Sequence, residues 1–165
     1  RVELEPEAVD LQEVLDECLD LVRPMAAQRK LQLVHAHGPP TMAWADAKRL
    51  RQVLLNLLSN AVKYNRPGGT VRVASGEVDG IVELSVTDEG PGIDPGRRHR
   101  LFQPFDRLGQ EGSGIEGTGV GLALARGLAQ RMGGSLALER SDEQGSTFVV
   151  GLPVGEAPDA VASAN

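Results

Sequence analysis

Aromatic side chains are scarce in this chain, with one Trp, one Tyr and three Phe among 165 residues. Leu, Val, Ile and Ala must therefore fill the core, and any aromatic placed at a motif stands out. The lone cysteine, Cys18, excludes an internal disulfide and is compatible with a reducing cytoplasm. No apolar run approaches the ~18 residues of a membrane span, and no signal-peptide pattern opens the chain. Lys and Arg number 17 against 23 Asp and Glu, and the net charge of -6 argues against a general nucleic-acid or anionic-membrane surface. Lysine is especially rare, with three in the chain, so Lys63 inside a motif attracts notice. The 41% apolar composition suffices for one domain of ordinary size. The first residue is Arg1 rather than Met, so the chain is expected to be cut from a longer one.

Asp10 followed by Glu13 reads as a capping-box-like helix start, and Leu11, Val14, Leu15, Leu19 and Val22 continue at helical spacing to about Lys30. Residues 31–36 (LQLVHA) and 42–45 (MAWA) read as strands, and Asp46 as the N-cap of a helix from Ala47 to Tyr64 closed by Pro67-Gly68-Gly69. A hairpin is expected over 70–76 and 81–88, turning near Asp79-Gly80. From Glu89 to Gly119 the chain is rich in Gly, Pro and Arg, too long for a simple connector. A helix from Val120 to about Met132 and a strand pair, SLALER and STFVVGLP, complete the pattern. The order predicts a two-layer α/β sandwich: a mixed sheet of about five strands, three helices on one face and a long loop. Residues 154–165 are expected to be a disordered tail.

Within NLLSNAVKYN, residues 56–65, two asparagines interrupt an apolar helix. At ~100° per residue, Arg49, Gln52, Asn56, Asn60 and Lys63 share one stripe with Tyr64 at its edge, opposite Leu50, Leu54, Leu57, Leu58 and Ala61. A solvated face is the plain reading of such a stripe. Asparagine is nevertheless a poor helix former, and a neutral oxygen donor for Mg²⁺ held among phosphates gives Asn60 a reason to be there. DEGPGID, 88–94, follows a strand; Asp88 can accept from an exocyclic amine such as that of adenine, while Gly90 and Gly92 allow close backbone approach to a ligand. An ordinary turn explains that stretch equally well. GTGVGLALARG, 117–127, opens a helix with glycines whose amides suit a phosphate. Between the two Gly clusters, Phe102 and Phe105 in LFQPFDRLG look like anchors of a polar loop, and Arg97, Arg98 and Arg100 read as solvated charge.

Together NLLSNAVKY, DEGPGID, FQPF, GTGVGL and EQGSTF closely resemble, in order, the N, G1, F, G2 and G3 boxes of sensor histidine kinases, over roughly residues 1–153. The resemblance implies an ATP-binding catalytic domain of the Bergerat fold, shared with gyrase-type and mismatch-repair ATPases and heat-shock chaperones. It implies ATP and Mg²⁺ as ligands, with Asn60 on the metal, Asn56 and Lys63 on phosphates and Tyr64 packed at the nucleotide. Asp88 would take the adenine amino group, Gly90, Gly92 and Ile93 would wall the pocket, and Thr147 would sit near that Asp, directly or through water. Gly117, Thr118, Gly119, Val120, Gly121 and Leu122 would border the phosphates. Phe102 and Phe105 would anchor an ATP lid spanning about 95–116 and ordered by nucleotide, and Arg107 would steady the γ-phosphate. Many relatives carry a second arginine a few residues on, where this chain reads GQEGSG.

The catalytic set implied is Asn56, Lys63 and Arg107. Hydrolytic relatives hold a water-activating Glu where this chain has Asn56, and an amide is no general base, so transfer fits better than hydrolysis. The implied partners are the protein's own dimerisation domain, bearing the phosphoaccepting histidine in a segment like S-H-E-L-R-T-P, and a response regulator. No such segment occurs here, and His35, His37 and His99 read as surface or packing residues. The expected setting is cytoplasmic, free or as part of a membrane-bound sensor, with a monomeric isolated domain in a homodimeric whole. A hydrolytic ATPase of the same fold and a degenerate nucleotide-binding module are the alternatives.

Overall fold

The computed structural model describes residues 3–36, 38–103 and 121–155. Its elements are β1 (Glu7–Asp10), α1 (Leu11–Gln28), β2 (Gln32–Ala36), β3 (Met42–Ala45), α2 (Ala47–Lys63), β4 (Thr70–Val78), β5 (Ile81–Asp88), a 3₁₀ turn (Pro95–Arg100), α3 (Gly121–Arg131), β6 (Ser135–Asp142) and β7 (Gly145–Pro153). The sheet has five strands in the order β2-β4-β5-β7-β6, with β2 parallel to β4 and the other neighbours antiparallel. The three helices pack side by side on one of its faces. The expected sandwich is thus the observed one.

Helix starts follow the capping residues. Asp10 Oδ1 accepts from the amides of Gln12 (3.0 Å) and Glu13 (3.3 Å), and Asp46 Oδ1 accepts from that of Arg49 at 3.0 Å. α1 ends with Lys30 in the left-handed region (φ 58), its amide bonded to Ala27 O and that of Leu31 to Ala26 O. This is the two-bond closure that usually takes glycine. Pro24 interrupts no packing, because it lies on the exposed side of α1. The core joins Leu15, Leu19, Leu50, Leu54, Leu57 and Leu58 from the helices to Val71, Val73, Leu84, Val86, Val150 and Leu152 from the sheet. Cys18 is part of it, and burial pushes its thiol up to about 11, so it is an inert packing residue.

Two features depart from expectation. MAWA is not in the main sheet: as β3 it pairs antiparallel with β1, from Glu7↔Ala45 to Asp10↔Met42, and Val154 bridges Ala43 on its other side. β1 and β3 each run straight into a helix through an aspartate cap. Asp46 also accepts from the Glu5 amide at 2.8 Å, so this small ladder holds the starts of α1 and α2 together. The second departure is the start of the long loop. Asp94 Oδ1 caps a 3₁₀ turn through the Gly96 amide (2.9 Å), and Leu101 is buried in the core. The described part of the expected lid, 95–103, is therefore folded against the domain.

Candidate functional site

The polar stripe of α2 lies where the pattern put it, and its members differ in environment. Asn60 is 8% exposed, and its Oδ1 has no hydrogen-bond partner among the described residues. A buried acceptor left unpaired costs roughly 1–3 kcal/mol, so its retention points to a ligand that completes it. Asn56 is half-buried and donates from Nδ2 to the carbonyl of Gly121, the first residue of α3, at 3.1 Å. That bond ties α2 to the start of α3 and leaves one amide proton for another acceptor. Lys63, half-buried, closes α2, and Tyr64 is its C-cap residue. Among the described residues no three His, Cys, Asp or Glu side chains cluster. A divalent ion beside Asn60 would draw most of its oxygens from phosphates and water, as Mg²⁺ at a triphosphate does.

Asp88 ends β5 and is 9% exposed. Burial pushes its carboxyl above the ordinary aspartate range, against the opposing pull of the Gly90 and Ser146 amides and of Arg140. The Gly90 amide donates to Oδ1 at 2.9 Å. Asn65, just past α2, braces this end of the strand: its Oδ1 accepts from the amides of Arg66 (2.9 Å) and Glu89 (3.3 Å), and its Nδ2 donates to Thr70 O (3.0 Å). Asn65 was not singled out from sequence, although a third Asn in ten residues was the available signal.

The glycines of DEGPGID have an intramolecular reason. A Cβ on Gly90 would overlap the Tyr64 carbonyl, and one on Gly92 (φ 82) would overlap that of Asp142. The close approach these residues permit is first of all between backbone segments that shape the site. Gly90→Ala is accordingly expected to cost about 1–3 kcal/mol, the scale of overpacking against atoms that cannot rotate away. Gly76→Ala, where nothing lies within 4 Å, should leave the melting temperature unchanged or raised. Thermal unfolding of the two variants checks this.

Strand parity corrects one placement. Thr87 and Thr147 are paired across β5 and β7, with hydroxyls 2.9 Å apart. Val82, Leu84, Val86 and Asp88 lie on the helix-bearing face, so Thr87 and Thr147 lie on the other. Ser146 is the residue opposite Asp88 on that residue's own face. The hydroxyl beside the buried carboxylate thus belongs to Ser146, an assignment that rests on the β5–β7 register. Ile93 is held at both backbone groups: its amide donates to Ser141 Oγ at 2.8 Å, and its carbonyl accepts from Arg98 Nε at 3.2 Å. Arg98 Nη2 also reaches Ser141 O at 2.6 Å, so Arg98 is a brace and not the solvated charge expected.

Phe102 packs edge-on to Phe148 (centroids 6.4 Å apart), with the Arg126 guanidinium 4.7 Å from its ring centre. Gly121 and Leu122 open α3, with Leu122 buried. Phe105, Arg107, Gly117, Thr118, Gly119 and Val120 lie outside the described residues, as does His37. His35 Nδ1 is 2.7 Å from Asp16 Oδ1, joining β2 to α1, while His99 is exposed on the 3₁₀ turn.

Residues 45–156 match the family model described as histidine kinase-, DNA gyrase B-, and HSP90-like ATPase. Histidine protein kinase DivJ of Caulobacter vibrioides is 36% identical over 159 residues, covering 96% of this chain and 27% of that protein. Sensor protein KdpD of Rathayibacter rathayi is 41% identical over 157 residues, covering 95% of this chain and 18% of that protein. The chain thus spans well under a third of the length of these relatives. Full-length ShkA, solved in complex with AMPPNP, superposes with a TM-score of 0.82 at 34% identity, over 94% of this chain and 32% of that one.

Proposed function

Because this chain belongs to the histidine kinase-, DNA gyrase B- and HSP90-like ATPase family, as an ATP-binding catalytic domain of the sensor histidine kinase type, we propose that it binds Mg-ATP and passes the γ-phosphate to a histidine of a preceding dimerisation domain. The observation that carries this reading is the buried Oδ1 of Asn60, which has no hydrogen-bond partner among the described residues and lies one helical turn from Asn56 and from Lys63. Asn60 would hold the ion, and Mg²⁺ when bound would neutralise phosphate charge. Lys63 and the second amide proton of Asn56 would meet phosphate oxygens, together with the backbone around Gly117, Gly119 and Gly121. Asp88 would accept from the adenine amino group, with Ser146 as the neighbouring hydroxyl in place of Thr147. Arg107 would face the γ-phosphate, and Phe102 and Phe105 would anchor the lid. These groups position and stabilise charge, which is most of what phosphoryl transfer requires.

Transfer is favoured over hydrolysis by Asn56, which acts as a donor to Gly121 O and has no basic group with which to activate water. The remaining parts of the proposal follow the same reading: one catalytic domain through residue 153, an acceptor domain and response regulator as partners, and a cytoplasmic site of action. No helix among the described residues is long and apolar enough to cross a membrane.

The test is incubation with γ-labelled ATP and Mg²⁺, first of the chain alone and then with a dimeric helical segment carrying the acceptor histidine. Label is expected only on the added segment, with negligible phosphate release from the chain by itself. Steady phosphate release without acceptor would favour the hydrolytic reading. Acid-labile phosphate on His35, His37 or His99 would contradict the need for an external acceptor.

A further inference from the structure

β6 and β7 form a regular ladder as far as Leu138↔Phe148, after which the partners become Arg140↔Thr147 and Ser141↔Ser146. Glu139 is therefore an extra residue, a β-bulge. Without it, alternation would set Ser141 opposite Gly145, on the helix-free face with Thr87 and Thr147. With it, Ser141 turns to the face of Asp88, and its Oγ lies 2.8 Å from that of Ser146, which in turn lies opposite Asp88. Bulges beside sites commonly re-aim one side chain in this way.

We propose that Ser141 is a positioning residue for the base-reading end of the nucleotide site, aimed there by the bulge at Glu139. This rests on the ATP-binding reading given above. Ser141 Oγ accepts from the Ile93 amide at 2.8 Å and is hydrogen-bonded to Ser146 Oγ. A hydroxyl has one proton and two lone pairs. With one lone pair taken by Ile93, the mutually polarising sense runs from Ile93 N–H through Ser141 O–H to Ser146 Oγ. The Ser146 proton is then available to the Asp88 carboxylate or to a base seated against it. Arg98 completes the unit by joining the carbonyls of Ser141 (2.6 Å) and Ile93 (3.2 Å). One side chain thereby fixes both the pocket wall at Ile93 and the orientation of the hydroxyl beside Asp88. It need not touch the ligand to do so.

The readout is affinity for Mg-ATP set against Mg-tripolyphosphate, which lacks the base. Ser141→Ala is expected to weaken ATP binding roughly tenfold, the size of one lost hydrogen bond, and to leave tripolyphosphate binding unchanged. Ser141→Thr, which keeps the hydroxyl, should restore ATP affinity to within about twofold. Ser141→Ala and Ser146→Ala together should cost less than the sum of the two single losses, because the hydroxyl bond between them is shared, while the loss at the Ile93 amide persists. Equal losses for ATP and tripolyphosphate would reduce Ser141 to a general packing role and overturn the proposal, as would ATP affinity unchanged in Ser141→Ala. Failure of the unaltered chain to bind ATP would instead overturn the nucleotide reading beneath it.

Discussion

Asp88→Asn is expected to weaken ATP binding by about tenfold to a hundredfold while leaving the melting temperature unchanged or higher. The carboxyl is 9% exposed, and burial raises its pKa above the ordinary 3.8, against the pull of two backbone amides and Arg140. A group whose folded-state pKa is raised contributes most to stability when protonated, and that contribution is lost as pH rises through the folded value. At neutral pH the charged form therefore opposes folding, and a neutral amide removes that opposition. Asparagine still offers an oxygen to the Gly90 amide, but it places an NH₂ where an adenine amino group would donate. Losing a charge-assisted hydrogen bond costs about 1.5–3 kcal/mol, which gives the stated range. In the unaltered chain the same reasoning makes ATP affinity fall with acidification, starting at a higher pH than an exposed aspartate would give. Calorimetric titration of both proteins across pH, paired with thermal melts, checks each half. Equal ATP affinity in the variant would remove Asp88 from the site.

The parts legible from sequence are those with local causes. Asp10 and Asp46 cap α1 and α2 where an acidic residue precedes an apolar period, and Asp79-Gly80 turns the β4–β5 hairpin with both φ values positive, at 52 and 79. What could not be read depends on which distant strand lies alongside. MAWA has the composition of a sheet strand, yet its partner is the four-residue β1, whose sequence EAVD is too short and too acidic to announce itself. Thr147 and Ser146 are adjacent and chemically alike, and only the β5–β7 register decides which of them faces Asp88. The bulge at Glu139 has no local signature at all, and Arg98 in GRRHR looks like any exposed charge until Ile93 and Ser141 are placed beside it. The glycines of DEGPGID stand where tertiary contacts with the Tyr64 and Asp142 carbonyls require them, a cause that no local pattern announces.

Asn60→Ala is expected to abolish the dependence of ATP binding on Mg²⁺ and to lower phosphoryl transfer to an added acceptor by roughly a hundredfold or more, with little change in the stability of the ligand-free domain. Transfer suffers most because a bound divalent ion is worth several kcal/mol of charge stabilisation at the transferring phosphate. Stability is spared for a different reason. Oδ1 of Asn60 has no partner among the described residues, so truncation removes a polar atom whose desolvation is uncompensated, and that gain offsets the packing lost with the amide. Most buried polar residues behave oppositely: Asn65, whose oxygen accepts two backbone amides, should destabilise on truncation because those donors are left unpaired. The contrast between the two asparagines, five residues apart, separates a side chain kept for a ligand from one kept for the fold. Asn60→Asp retains an oxygen donor and should keep the Mg²⁺ dependence, at the cost of ligand-free stability because an unpaired carboxylate is then buried. Calorimetry with Mg²⁺ or with chelator, alongside thermal melts of Asn60→Ala, Asn60→Asp and Asn65→Ala, provides the comparison. An undiminished Mg²⁺ dependence in Asn60→Ala would take the metal away from this residue, and a large loss of ligand-free stability in the same variant would show that its amide serves the fold after all.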